Sequence, residues 1–294
     1  MEIIRSVETM KNQCHDLMKR DKQVGFVATM GFFHEGHLNL MTRAKMENNI
    51  VVASIFVNPL QFGPNEDYEN YPPDEEQDII LAKQAGVDIL FIPTERDMYP
   101  NQMLISMSVE ARTDVLCGRT RPGHFDGVIT VLTKLFHIIQ PNRTYFGLKD
   151  AQQVAVVDAL ITSLNFPIEL IGIETAREDD GLAKSSRNVH LSNEERKEAV
   201  WIYKALMKGQ QLVVDGEKNP AMIVKEVKNT ISKHTSGTID YVELVSYPRL
   251  TSLSAIDEQS ILAAAVNFKK ARLIDNLLLD KNGEMLNQYL QEEN

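Results

Sequence analysis

The sequence predicts an α/β protein: a doubly wound parallel sheet over residues 1–175, then a smaller α+β domain over residues 176–294 with a short antiparallel sheet. Three observations carry this. β-type apolar runs at 24–29, 50–57, 87–92, 144–146 and 167–173 alternate with helix-type patterns, the order that builds a parallel sheet. The run at 50–57 is continuously apolar, as in a strand buried on both faces. After residue 174 the pattern changes to a polar stretch, two amphipathic helices at 192–215 and 220–234, and three β-type runs at 241–247, 261–268 and 271–279.

A chain of 294 residues suits two domains, and 43% apolar with 24% charged residues is an ordinary globular balance. The net charge of −10 argues against a general nucleic-acid binder. The first residues lack the apolar region of a signal peptide, and no run of 18 apolar residues occurs, so the expectation is a cytoplasmic chain with no membrane partner. The two cysteines, Cys14 and Cys117, have neither metal-type spacing nor a disulfide framework and read as ordinary thiols.

Taken in order, residues 7–20 place Met10, Cys14, Leu17 and Met18 on one side of a short helix. The strand at 24–29 runs into a turn, and a helix leaves it and extends to about residue 48. The loop after the next strand starts at Asn58 and lies at the carboxyl end of the sheet, where open α/β sheets bind ligands. A helix at 74–85 opens on Asp74-Glu75-Glu76, suited to its positive end, and closes on Gly86. Residues 93–123 read as a long excursion with one alternating run at 105–109. A helix at 124–139 ends at Pro141, the strand at 144–146 exits through Gly147-Leu148-Lys149-Asp150, and a helix follows at 151–164. Residues 174–188 read as a hinge, and 291–294 as a solvated tail.

The turn after the first long strand carries the chemistry. His34 and His37 are three apart and share one face of a first helical turn, and Gly36 lets a ligand approach the backbone. Free N–H groups and the helix dipole favour an anion there, and two imidazoles add donors for charge on phosphate oxygens. Alternatively these are two surface histidines at a helix start. Lys184-Ser185-Ser186-Arg187 offers charge and hydroxyls to phosphate; standing alone it reads as a solvated hinge. Lys149 could reach a phosphate or ribose, and Asp150 could equally cap the next helix. Gln61 and Gln153 could read a small polar substrate or sit on the surface. Asp78 and its acidic neighbours read best as a solvated helix face, with a share in holding Mg²⁺ as the alternative.

Together these motifs resemble the pantoate–β-alanine ligases, members of the His-x-Gly-His nucleotidyltransferase superfamily. The matching stretches are Thr29-Met30-Gly31, His34-Glu35-Gly36-His37, 56–62, Arg121-Pro122-Gly123-His124-Phe125, 145–153 and 180–188. The resemblance implies a Rossmann-like first domain with the second as its lid. It implies ATP-dependent condensation of pantoate with β-alanine through pantoyl adenylate, releasing pyrophosphate and AMP, in pantothenate and coenzyme A synthesis. It further implies Mg²⁺, with no ligand set legible for it, and a homodimer joined through the first domain.

By motif position, Met30, Gly31, Phe32, Phe33, His34, Glu35, Gly36 and His37 would line the ATP site, with His37 as general acid and His34 its partner. Gly147, Leu148, Lys149, Asp150, Ala176, Lys184, Ser185, Ser186 and Arg187 would also hold ATP, and Gln61 and Gln153 would bind pantoate, Gln61 near β-alanine as well. The chain departs from the family pattern at Ala28, where Pro is usual, at Phe32-Phe33, at Leu148 and at Lys184. Two rivals stand beside this reading: a nucleotidyltransferase of the same superfamily that leaves the adenylyl group on its product, and a nucleotide-sensing module without activity.

Overall fold

The computed structural model describes residues 1–63, 68 and 74–289. The first sheet is built from β1 (Glu2–Ile4), β2 (Val24–Thr29), β3 (Ile50–Ile55), β4 (Ile89–Phe91), β5 (Arg143–Gly147) and β6 (Glu169–Ile173), with β10 (Gln288–Tyr289) at its edge. The strand order is β1-β4-β3-β2-β5-β6-β10, parallel throughout except for β10. From β2 the chain winds outward to β3; from β5 it winds the other way to β6. The order therefore reverses between β2 and β5, and the loops leaving their carboxyl ends face each other across a crevice.

Alternation along the strands separates two cores. Phe26, Val52 and Phe91 point to the face covered by α1 (Val7–Lys19), α6 (His124–Ile139) and α7 (Ala151–Ser163). Val27, Val51, Ala53 and Leu90 point to the opposite face, under α2 (Glu35–Glu47) and α3 (Glu75–Gln84). Covering both faces requires the near-continuous apolar strands that the sequence displays. Ser6 caps α1, and Asp74 caps α3. Gly127 of α6 lies so close to the short helical turn Pro59–Gln61 that a Cβ there would stand 2.2 Å from the Leu60 carbonyl oxygen.

In the second half, α8 (Asn193–Val214) and α9 (Pro220–His234) pack on a three-stranded antiparallel sheet of β7 (Thr238–Ser246), β8 (Ser260–Asn267) and β9 (Arg272–Leu279). The other face of this sheet, with Tyr241, Val245, Tyr247 and Ile261, joins the core under α6 and α7. Tyr247 donates to the Ala151 carbonyl at 3.2 Å. The chain then returns to the first sheet, where Tyr289 pairs with Gly172.

The expected elements are present with ends shifted by a few residues. The sequence did not announce β1 or β10, which have three and two residues. The excursion at 93–123 contains two short helices, α4 (Glu95–Met98) and α5 (Leu116–Thr120). Its alternating run forms no strand: Met107 and Val109 pack on the core, and the Val109 N–H is held by Asp126 at 2.9 Å. Part of the loop after β3 and the residues 291–294 lie outside the described residues. Among the described residues, no helix is long and apolar enough to cross a membrane.

Gly127→Ala is expected to lower stability by about 1–3 kcal/mol, because the added methyl must push α6 and the Leu60 backbone apart. A urea melt against the parent chain checks it; an unchanged midpoint would show that this contact yields freely.

Candidate functional site

The turn after β2 is held from below. Thr29 Oγ1 donates to the Ser54 carbonyl at 2.6 Å and accepts the Gly31 N–H at 3.2 Å. Gly31 and Phe32 both take positive φ, +87° and +54°. At Gly31 a side chain has no room: a Cβ would stand 2.9 Å from Asp78 Oδ2. At Phe32 the left-handed backbone costs about 1–2 kcal/mol for a non-glycine residue. Asp78, at 2% exposure on α3, offsets this by accepting the Phe32 N–H at 2.8 Å and the Phe33 N–H at 2.6 Å.

The expectation of a solvated acidic face at Asp78 is thereby corrected: both carboxylate oxygens serve the turn. Among the described residues no group of three or more histidine, cysteine, aspartate or glutamate side chains is arranged for a metal ion. The bulk of Phe33 also turns inward. It is buried beside Leu40 and Met41, with its ring 5.6 Å from that of His37.

His34 caps α2. Its Nδ1 accepts the Gly36 N–H at 3.1 Å, while His37 Nδ1 accepts the His34 N–H at 3.3 Å. With Nδ1 engaged as an acceptor, each neutral ring carries its proton on Nε2. Burial, then the charge of Lys149, lowers the His34 pKa to about 4. Burial, then His34 and Lys149, lowers that of His37 to about 3. Both rings are neutral at pH 7 and present N–H donors at the positive end of α2, a place suited to an anion.

The opposite wall leaves β5. Gly147 opens on free space, where a Cβ would meet nothing within 4 Å. Leu148 turns into the core, so that position offers backbone only. Lys149 follows, near enough for its charge to act on both imidazoles, and Asp150 lies 3.9 Å from it. Asn276 of β9 donates to the Leu148 and Lys149 carbonyls at 3.0 and 2.8 Å, fixing this turn from the second half of the chain.

The polar segment after β6 folds back on the histidine turn. The Lys184 N–H donates to the Ala176 carbonyl at 2.9 Å, and Ala176 Cβ lies 4.0 Å from where a Gly36 Cβ would stand. The Lys184 ammonium pairs with Glu35 of α2 and lies 3.7 Å from Glu178. Ser185 caps a short helical turn over Ser186–His190, and its Oγ accepts the Arg187 N–H at 3.3 Å.

A cavity of about 640 Å³ brings Lys149, Asp150, Gln153, Ser185 and Arg187 together. Residues 30–37, Gln61, Gly147, Ala176, Lys184 and Ser186 are not among its walls; the two histidines flank it beside Lys149. Gln61 sits on the histidine side. Its Oε1 accepts from Asn58 at 3.2 Å and its Nε2 donates to Met30 Sδ at 3.2 Å, so one N–H and one lone pair remain for a ligand.

Three residues that the sequence reading gave no role join the site. Arg121 can only donate, so His124 Nε2 accepts from it at 3.0 Å and His124 Nδ1–H donates to the Gln61 carbonyl at 2.8 Å. Gln152 is buried and pins the excursion by bonds to Arg112, Val115 and Gly118 of 2.9, 2.8 and 3.2 Å. The signal for the first two was the run 121–125; for Gln152 only its place beside Gln153 hinted at a role.

Two neutral histidines at a helix start on the switch point of a parallel sheet, with Lys184, Ser185 and Arg187 of the second half near by, are the kind of donor set that enzymes acting on nucleotide phosphates use. Among such enzymes the chain belongs to the pantoate-beta-alanine ligase family, whose model matches residues 2–278. It is 56% identical over 280 residues to the pantothenate synthetase of Bacillus subtilis strain 168, covering 95% of this chain and 98% of that one. It is 54% identical over 280 residues to that of Geobacillus sp. strain WCH70, covering 95% and 99%.

Among solved structures, the pantothenate synthetase of Thermus thermophilus superposes with a TM-score of 0.88 at 43% identity, over 94% of this chain and 99% of that one. The pantoate-beta-alanine ligase of Francisella tularensis, solved with beta-gamma ATP and beta-alanine, gives 0.78 at 34%, over 95% and 97%.

The histidine pair makes a direct prediction. In the ligand-free protein the C2–H resonances of His34 and His37 should titrate at about 4 and about 3. Because these folded values lie below the unfolded one, the stability the neutral rings confer is complete above about pH 6.5 and is lost as pH falls through the window toward 3. Titration of either ring near pH 6.5 would refute the neutral pair.

Proposed function

We propose that this chain uses ATP to condense pantoate with β-alanine, forming pantothenate through pantoyl adenylate. The observation that carries the reading is the placement of two neutral histidines, Lys149, Ser185 and Arg187 around one crevice at the sheet's switch point, in a family whose Francisella member was solved with beta-gamma ATP and beta-alanine.

The chemistry follows from the donors. The pantoate carboxylate attacks the α-phosphorus, and negative charge grows on the departing pyrophosphate. His34 and His37 Nε2–H, Lys149, the Ser185 and Ser186 hydroxyls and Arg187 are the groups we assign to that charge, with Met30–Gly36, Gly147–Asp150, Ala176 and Lys184 shaping the rest of the ATP site. A polyanion beside His37 raises its pKa from about 3, which favours its service as general acid to the leaving group. The β-alanine amine then attacks the acyl carbon and AMP departs. Gln61 and Gln153 hold pantoate, Gln61 with its remaining N–H and lone pair. No covalent enzyme intermediate is required; holding the two substrates in line supplies much of the acceleration.

Mg²⁺ fits as a partner of the phosphates, shielding their charge, since it commonly takes one or two carboxylates beside phosphate and water. Asp150 would be the carboxylate for this: Asp240 and Asp275, which also line the cavity, are each held by an arginine at 2.7 Å, whereas Asp150 lies 3.9 Å from the Lys149 ammonium. We further assign residues 1–175 to the nucleotide and pantoate domain, 176–294 to its lid, and the protein to the cytoplasm as a homodimer. The dimer contact we infer is the apolar stretch Met103, Leu104 and Ile105, exposed by 40%, 96% and 74%, on the first domain.

Incubation with ATP, Mg²⁺ and pantoate is expected to yield pyrophosphate, with AMP released only when β-alanine is added; AMP release indifferent to β-alanine would favour an enzyme that keeps the adenylyl group on its product. His37→Ala should lower turnover by about 10²–10⁴-fold, and a loss under about threefold in a folded variant would remove His37 from acid catalysis. For the dimer, Leu104→Glu with Ile105→Lys should shift the chain to a monomer in size-exclusion chromatography with light scattering; an unchanged mass would place the interface elsewhere.

A further inference from the structure

Gln61 is oriented by a chain of hydrogen bonds that starts away from the cavity. Tyr99 ends α4 and is not among the cavity walls. Its ring packs on the core beside Phe56, with centroids 6.0 Å apart, and the Lys134 ammonium lies 5.4 Å from its centroid. Burial, then the charge of Glu95, holds the phenol protonated well above its usual range, so its O–H donates. It donates to Asn58 Oδ1 at 2.9 Å. Asn58 is 1% exposed. Its oxygen also accepts the Leu60 N–H at 3.3 Å, and its amide nitrogen donates to the Gly127 carbonyl at 3.0 Å and to Gln61 Oε1 at 3.2 Å. A backbone N–H only donates and a carbonyl only accepts, so the Asn58 amide has one orientation. That orientation sets the next. With its oxygen on Asn58 and one amide proton on Met30 Sδ, Gln61 holds its other amide proton for a ligand.

We propose that Tyr99 is a positioning residue for pantoate: its hydroxyl fixes Asn58, and through Asn58 it presents Gln61 Nε2–H to an acceptor oxygen of the hydroxy acid. This rests on the assignment of Gln61 to pantoate. The donors all point one way, from Tyr99 through Asn58 and Gln61 to the ligand. Each bond draws electron density from the amide beyond it, which makes that amide's N–H a better donor. Tyr99 supplies the shorter of the two bonds to the Asn58 oxygen, in a place with almost no access to solvent. Without the hydroxyl, that oxygen keeps only the longer bond, and the two amides lose their alignment on the ligand. Tyr99 stands apart from the groups assigned to the phosphates, so its loss weakens the grip on the hydroxy acid and leaves the ATP site as it was.

The test uses the full chain with ATP, Mg²⁺, pantoate and β-alanine. Tyr99→Phe, which keeps the ring, should raise KM for pantoate about tenfold, raise KM for ATP less than about twofold and lower kcat less than about threefold. Equal changes in the two KM values, or no change in either, would overturn the proposal. Added to Gln61→Ala, Tyr99→Phe should alter KM for pantoate by less than about twofold, and a further rise of about tenfold would show that Tyr99 acts by another route. In nitrogen–proton correlation spectra of the ligand-free protein, the Gln61 side-chain NH₂ signals should move in Tyr99→Phe; unmoved signals would overturn the relay whatever the substrate. Moved signals, with a pantoate KM that Gln61→Ala leaves unchanged, would uphold the relay and overturn the assignment of Gln61 to pantoate.

Discussion

The two bonds from the Phe32 and Phe33 amides to Asp78 determine where the reactive turn can be. Left alone, a turn with two successive left-handed residues, one of them phenylalanine, would relax toward a commoner backbone. Asp78 removes that option by taking both amide protons in a place closed to water, where leaving either unpaired would cost about 1–3 kcal/mol. The direction in which the chain leaves β2 follows from this, and so does the start of α2. His34 then reaches Gly36 as a cap and His37 reaches back to the His34 amide, so that both rings are oriented by backbone bonds before any ligand arrives. A site oriented in advance reorganises little when charge develops in it.

The electrostatics are local rather than global. The chain as a whole carries −10, yet the crevice is lined by an excess of cations, some tied to carboxylates beside it. On the wall Arg272 pairs with Asp240, and beside it Lys184 pairs with Glu35. The Lys184–Glu35 pair holds the second unit against the first. Burial does the complementary work on the histidines. It keeps them uncharged, so these two N–H donors would shed less hydration on meeting an anion than charged rings would.

Much of this was legible in the sequence, and what was not has a physical reason. The strands at 24–29 and 50–57 announce themselves because both faces are covered, and the helices at 124–139 and 220–234 because their apolar period is sustained for about four turns. The spacing of His34 and His37 after a strand placed both on one helical turn, and the structure has them there, each ring bound to the backbone at the start of α2. Asp78 was misread because its burial is decided by the packing of α3 against a turn 45 residues earlier, which no local pattern records. The meeting of Lys149 with the histidines depends on the strand order, which periodicity does not give. β1 and β10 are too short to show a period at all. The side-chain direction of Phe33 was also hidden, since an aromatic residue beside a glycine turn fits a pocket and a core equally well.

The last strand gives the second half of the molecule an unusual suspension. The chain leaves the first sheet at the end of β6 and comes back to the same strand as β10, with Tyr289 opposite Gly172. Between those two points the second half is also packed on the first, since Tyr241, Val245, Tyr247 and Ile261 share the core under α6 and α7. Sliding and twisting would tear the Tyr289–Gly172 pairing. The stretch between the two attachments therefore starts and ends on one strand, with Ser185 and Arg187 on the cavity wall.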